Sequence, residues 1–392
     1  MLSERTMAFA EELTSALLGL DQLYRQENPD DDAGLVVLDM SNGRVGQRFA
    51  TYTDAVEQFT NLRQQTEALA EPDRRMYYRQ VCDSKLAFIA WRTGNLEFRG
   101  QISNFLHVPP APASEAELDN LRAGMSRLLN DMGYAGDLAT QCAAWEERST
   151  VPAADVPGVL TRLLDEAWDR TVQRMEIPAE RSDGMAVAGV SGVPFNARCN
   201  YLKRTIELNT DPVLTMAGLK HLAVHEGYPG HYVQFKLRES WYRDGLAPAD
   251  GLLSVVNTAS SCTFEGIADN GTHVIDWVST DDDRLMALMN RYRAGIATAA
   301  AWKLHALHET TAIVTDWLRS QALIGGEGWV ANRMGFIAAP ERCALIWSYW
   351  HGESSVTPVW ECVSQAERPE FLRFLYGRLH SPQSVQMFEQ SP

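Results

Sequence analysis

His225-Glu226-Gly227-Tyr228-Pro229-Gly230-His231 places two imidazoles and a carboxylate within seven residues. A helical pattern leads into it, with Leu214, Leu219, Leu222 and Val224 at helix spacing, Asp211 as the expected N-cap and Pro212 at the first helical position. A zinc hydrolase needs neutral imidazoles to hold the ion and a nearby carboxylate to take a proton from water. The common solution is H-E-x-x-H, with the histidines one turn apart on one helix face. Here the second histidine comes six residues after the first. On an ideal helix that is about 600° of rotation, or ~120° away from the first histidine's face. The two rings can share an ion only if the helix is distorted between them. Pro229 and Gly230 fill the gap, and proline removes a backbone donor and clashes with the carbonyl four residues back. A kink or π-bulge is therefore expected between Gly227 and His231. A rival pair lies in the same helix: His221 and His225 are four apart and face the same way without distortion. Geometry alone does not choose between the two pairs.

Continued through Tyr232-Val233-Gln234, the stretch resembles the H-E-x-x-P-G-H-x-x-Q signature of the DUF885 family, mostly bacterial proteins that look like relatives of the gluzincin metallopeptidases. The resemblance favours His225 and His231 as ligands. It implies a third ligand, a glutamate followed by glycine on a later helix, and Glu265-Gly266-Ile267-Ala268 matches that position. The family usually has E-G-W-A there and a second acidic residue two turns on. This chain has Ile267 and Thr272 at those places. The match is good from about Arg198 to Ala268 and fades outside it.

Hydrophobic content of 45% and charged content of 22% over 392 residues are those of a globular protein with a large core. A net charge of −16 argues against nucleic acid and anionic membrane as partners. The six cysteines are scattered without a C-x-x-C pair and read as buried free thiols of a reducing compartment. The N-terminal segment is an amphipathic helix without the apolar run of a signal peptide, so a cytoplasmic location is expected.

Along the chain, helices are predicted over 1–25, 53–69, 73–93, from Ser114 to about Met132, and from Asp155 to Met175. Ser114 and Glu117 have capping-box spacing. The pattern changes after Pro178. Met185–Val190 and Arg204–Asn209 read as strands of a small sheet, a plain hairpin or, as the resemblance implies, the substrate-binding edge of a zincin. Leu252–Trp277 reads as one helix carrying Glu265, and Arg284 to about Ala306 as a long one. Its Ala299-Ala300-Ala301 face allows close helix contact.

The expected fold is mainly α with a small β-sheet, zincin-like (gluzincin) in architecture. A helical N-terminal half (1–180) stands beside a metal-binding half (181–392), together one continuous unit. The expected function is zinc-dependent hydrolysis of a peptide or small amide-type substrate. His225, His231 and Glu265 hold one divalent ion; iron, manganese or cobalt fit similar donors. Glu226 is the general base. The tail's Tyr349-Trp350-His351-Gly352 fits the family's Y-x-x-G pattern, which makes Tyr349 an oxyanion donor. His308, with His305 and His351, is a candidate transition-state donor or partner to a ligand, and His221 a candidate partner to a ligand. Two other functions remain open: a metal-dependent enzyme acting on a small metabolite on the same scaffold, and a non-catalytic helical protein with a structural metal.

Overall fold

A computed structural model of the chain describes residues 2–29, 34–175, 177 and 184–390. The fold is mainly helical with two small sheets. The elements begin with α1 (Glu4–Glu27), β1 (Val36–Asp39), α2 (Tyr52–Gln65), α3 (Pro72–Arg92) and α4 (Phe98–Leu106). Next come α5 (Glu115–Asp131), α6 (Leu138–Ser149), α7 (Val156–Arg174), β2 (Ala186–Val190), β3 (Ala197–Asn200) and β4 (Thr205–Asn209). Then α8 (Met216–Leu222) runs into a π-helical turn, Ala223–Gly227, followed by α9 (His231–Arg243), β5 (Leu253–Val255), α10 (Ser261–Asp269) and α11 (Gly271–Val274). The chain ends with α12 (Asp281–His305), α13 (Thr311–Gln321), α14 (Gly326–Ala338), α15 (Ile346–Cys362) and α16 (Arg368–Gly377).

The junction expected at residues 180 and 181 lies outside the described residues. The chain forms two compact units from interleaved segments. One comprises Met1–Pro110, Val233–Ile267 and His351–Pro392; the other comprises Ala111–Tyr232 and Ala268–Trp350. In the first unit α2 and α4 pack on α3. Phe9 of α1 meets Tyr78 with ring centroids 5.0 Å apart, and Phe88 meets Tyr24 and Phe105. β1 pairs antiparallel with β5. In the second unit α12 packs against α5, α8, α13 and α14. Of the expected small-residue face of α12, Ala300 and Ala301 are fully buried and Ala299 is half-buried, while Ala297, one turn earlier, is also buried. A Cβ on Gly295 would sit 2.7 Å from a Leu118 methyl, a measure of how closely α5 and α12 approach.

Local signals set many of the boundaries. Ser114 Oγ accepts from Glu117 N–H while the Glu117 carboxylate accepts from Ser114 N–H, the box its spacing predicts. Thr280 and Asp283 form the same box, so Asp281-Asp282-Asp283 is the first turn of α12, where the helix dipole favours acids.

Four expectations are corrected, three of them by non-local contacts. The helix leading into His225 starts at Met216 with Thr215 as N-cap, not at Pro212. Asp211 instead accepts from Gly192 N–H at 2.7 Å, and Leu214 O accepts from Val151 N–H, which keeps 211–214 out of the helix. Leu252–Trp277 is not one helix, because Leu253–Val255 is drawn into pairing with β1. The two expected strands do lie side by side, but parallel, so they are no hairpin. β3, between them in sequence, adds antiparallel to the far side of β4. All six cysteines are free thiols, but Cys362 is exposed and Cys199 half-buried. Among the described residues no helix is long and apolar enough to cross a membrane.

Candidate metal centre

The histidines meet because the helix fails where its sequence says it must. After α8 the π turn Ala223–Gly227 adds a residue to the helical repeat, and Tyr228 N–H bonds to Ala223 O at 3.1 Å. Tyr228 is extended at φ −127° and ψ 117°, the Tyr228–Pro229 peptide is cis, and α9 starts afresh at His231. Gly230 lies against the end of the π turn: its N–H bonds Val224 O, and a Cβ there would be 1.9 Å from His225 O. His225 thus closes one helix and His231 opens the next, with ring centroids 4.6 Å apart and planes at 81°. The distortion expected between Gly227 and His231 is present and begins one turn earlier, at Ala223.

His225 Nδ1 lies 2.8 Å from Asp269 Oδ1 at the end of α10. Donation of that N–H to the carboxylate puts the lone pair on Nε2, the nitrogen 3.9 Å from Glu226 Oε1. The other oxygen of Glu226, Oε2, accepts from the backbone N–H of Cys199 on β3 at 2.8 Å. One ligand atom from each of His225, Glu226 and His231 falls within 4.8 Å of the others, and the three residues are only 6–7% exposed. Donors around a tetrahedral zinc lie roughly 3.3 Å apart, given bonds of about 2.0 Å. The spacing, the burial and the imidazole and carboxylate donors therefore fit a divalent transition-metal ion.

The surroundings are apolar and aromatic. Tyr228 packs edge-on against Trp168 of α7 at 5.0 Å and against Tyr232 at 5.5 Å. The Cys199 thiol is pushed well above its ordinary value by burial and by the Glu226 charge beside it. His221 stands one turn before His225, ring centroids 5.4 Å apart, its Nε2 3.7 Å from Asp269 Oδ1. Burial pushes its imidazole down to about 4. Both rings suggested by the sequence as partners therefore lie close to the His225 ring.

The remaining candidates are placed as follows. Glu265 belongs to the first unit, buried in α10, four residues and one turn before Asp269 on the same helix face. Tyr349, half-buried near the start of α15, rests its ring on Phe336 at 6.2 Å with the Arg333 guanidinium 5.8 Å away. His305 has Nε2 2.7 Å from Ile337 O, tying the end of α12 to α14. His308 is exposed in the turn after α12, at φ 57°, a left-handed position. His351 is half-buried in the first unit. Sequence reasoning missed Asp269 and Cys199. Asp269 carried a signal, an acid one helical turn after Glu265. Cys199 carried none, since it contributes a backbone N–H that any residue but proline has.

No protein-family model and no curated protein matches the chain. Two solved structures share its fold. One is described as a "putative lipoprotein" from Colwellia psychrerythraea: TM-score 0.56, 12% identity, covering 86% of this chain and 66% of that one. The other is a "putative lipoprotein of unknown function" from Shewanella oneidensis: TM-score 0.52, 12% identity, covering 96% of this chain and 83% of that one. The chain thus spans about two thirds of the first structure's length. At this identity the likeness is one of fold alone.

Proposed function

We propose that the chain is a zinc-dependent hydrolase of the gluzincin type, cleaving a peptide or amide bond. The observation that carries this reading is the buried convergence of His225, Glu226 and His231, with His225 Nδ1 held 2.8 Å from Asp269 and its Nε2 3.9 Å from Glu226 Oε1. His225 and His231 are the imidazole ligands. The motif resemblance adds Glu265 as the third. A zinc ion held there would supply Lewis acidity and make a water more acidic at neutral pH.

Glu226 does the proton chemistry. Its Oε2 is anchored by Cys199 N–H, which leaves Oε1 to accept the water's proton and pass it to the departing nitrogen. β3 is an edge strand of its sheet. Asn196 O turns toward β4, and by alternation the Ala197 backbone groups turn out, beside the Cys199 N–H that reaches Glu226. An extended substrate laid along that edge would run past the carboxylate. Tyr349 remains the oxyanion donor implied by the Y-x-x-G pattern, and no role is given to His308.

The test is metal analysis of protein purified without chelator, paired with a peptide-library assay. One equivalent of zinc in the wild type, lost in His231→Ala, and cleavage of the library are expected. A wild type free of metal, and unable to take it up, overturns the reading.

A further inference from the structure

His221 and the outer side of Asp269 have no task in the chemistry above, yet they are built like ligands. His221 and His225 are four apart on one helical face. Asp269 Oδ1 is 2.8 Å from His225 Nδ1 and 3.7 Å from His221 Nε2. The second distance is too long for a hydrogen bond but close to the roughly 3.3 Å between neighbouring donors on a tetrahedral zinc. One ligand atom from each of His221, His225 and Asp269 lies within 4.8 Å of the others. Access differs from the inner cluster: the side chains of His221 and Asp269 are 24% and 22% exposed, that of His225 only 9%.

We propose that His221 and Asp269, with Nδ1 of His225 beside them, form a second, outer site for a divalent transition-metal ion. Imidazole with carboxylate selects zinc, cobalt or nickel over magnesium and calcium, which prefer all-oxygen shells. The outer ion is the weaker of the two. It has fewer protein donors, stands in partial contact with solvent, and sits near a like charge in the inner cluster. The inference rests on the inner centre proposed above, because Asp269, a donor of the outer site, also accepts the N–H of the inner ligand His225. An ion on Asp269 draws the carboxylate away from the His225 N–H and so loosens the ring that holds the inner ion. By linkage each ion weakens the other. Excess zinc then acts as an inhibitor of the enzyme it serves at low concentration.

The experiment is a zinc titration at neutral pH against a chromophoric chelator, with far-ultraviolet circular dichroism as the check on folding. The wild type is expected to take two zinc ions in two steps, with magnesium displacing neither. His221→Asn should lose the weak step and keep the tight one, and His231→Ala should keep only a weak step. His221→Gln replaces His221→Asn if the latter fails to fold. A single step in the wild type, unchanged in His221→Asn and lost in His231→Ala, removes the outer site while the inner centre stands. Tight binding that survives His231→Ala and vanishes in His221→Asn makes the outer site the main one and overturns the inner reading. A wild type that takes no zinc sinks both.

Discussion

Glu226 has its two oxygens on different partners: Oε2 takes the Cys199 N–H and Oε1 faces His225 Nε2. Glu226→Gln can still accept from Cys199 with its amide oxygen, leaving an NH2 group toward the histidines. It should therefore keep metal and fold but lose the proton acceptor. A fall of about 10²–10⁴ in turnover at unchanged zinc content is the expected result. Zinc lost in step with activity would make Glu226 a ligand. Asp269 acts through His225, by fixing which ring nitrogen carries the proton. Asp269→Asn should weaken zinc binding about 10–100-fold without abolishing it, and proton NMR of the His225 ring should show the Nδ1–H resonance shifted. Unchanged affinity would mean that Asp269 does not orient the ligand.

At the scale of elements, the breaks between helices matter as much as the helices. Gly230 is required where α9 begins, because a Cβ would overlap His225 O and Val224 O at 1.9 and 2.3 Å, and backbone oxygens cannot move aside cheaply. Gly230→Ala should cost about 1–3 kcal/mol or more in denaturant unfolding and reduce zinc content, since any relief moves His225 relative to His231. Wild-type stability with full metal would refute that coupling. In the first unit, Gly266 and Gly352, the glycines of the E-G and Y-x-x-G patterns, face each other. A Cβ on Gly266 would stand 2.1 Å from Gly352 O, so α10 and α15 touch backbone to backbone there. Gly266→Ala should lower the unfolding midpoint by about 1–3 kcal/mol equivalent, which gives those glycines a packing reason independent of any chemistry.

At the scale of the whole molecule, pH should act on stability through Lys85. Its ammonium is fully buried, donating to Val256 O and Asn257 O, and burial pushes it down from 10.5 to about 7. In the unfolded chain the lysine keeps its proton up to about 10.5. Between those values the unfolded state binds more protons, so this contribution to stability rises with pH. Below about 7 both states are charged and the burial penalty is constant. Wild type should therefore gain on Lys85→Met as pH rises from neutral into the alkaline range, by up to about 1.4 kcal/mol per pH unit. Parallel stability curves for the two proteins would show that the buried amine is already paired well enough to keep its charge.

The amphipathic spans of α1, α3, α7 and α12 and the Ser114 box were legible from the chain alone. Helical periodicity and capping are set within a few residues of each other, and folding has only to accept them. The break in the helix was legible for the same reason: two histidines six positions apart with a Pro-Gly in the gap have no regular helical solution for sharing one ion. Tertiary structure decided what depended on partners distant in sequence. Thr215 starts α8 because Asp211 is occupied by Gly192 N–H and Leu214 by Val151 N–H. Leu253–Val255 is a strand because β1 offers it an edge. Helix geometry alone could not choose between His221 and His231 as the partner of His225, and the motif resemblance favoured His231; the folded chain brings both rings close to His225. The His225 ring has two nitrogens, and only the folded chain shows Asp269 2.8 Å from Nδ1, with His221 3.7 Å from the same carboxylate oxygen, and Glu226 Oε1 3.9 Å from Nε2. A carboxylate 44 positions away sets the proton on that ring, and no local pattern carries such information.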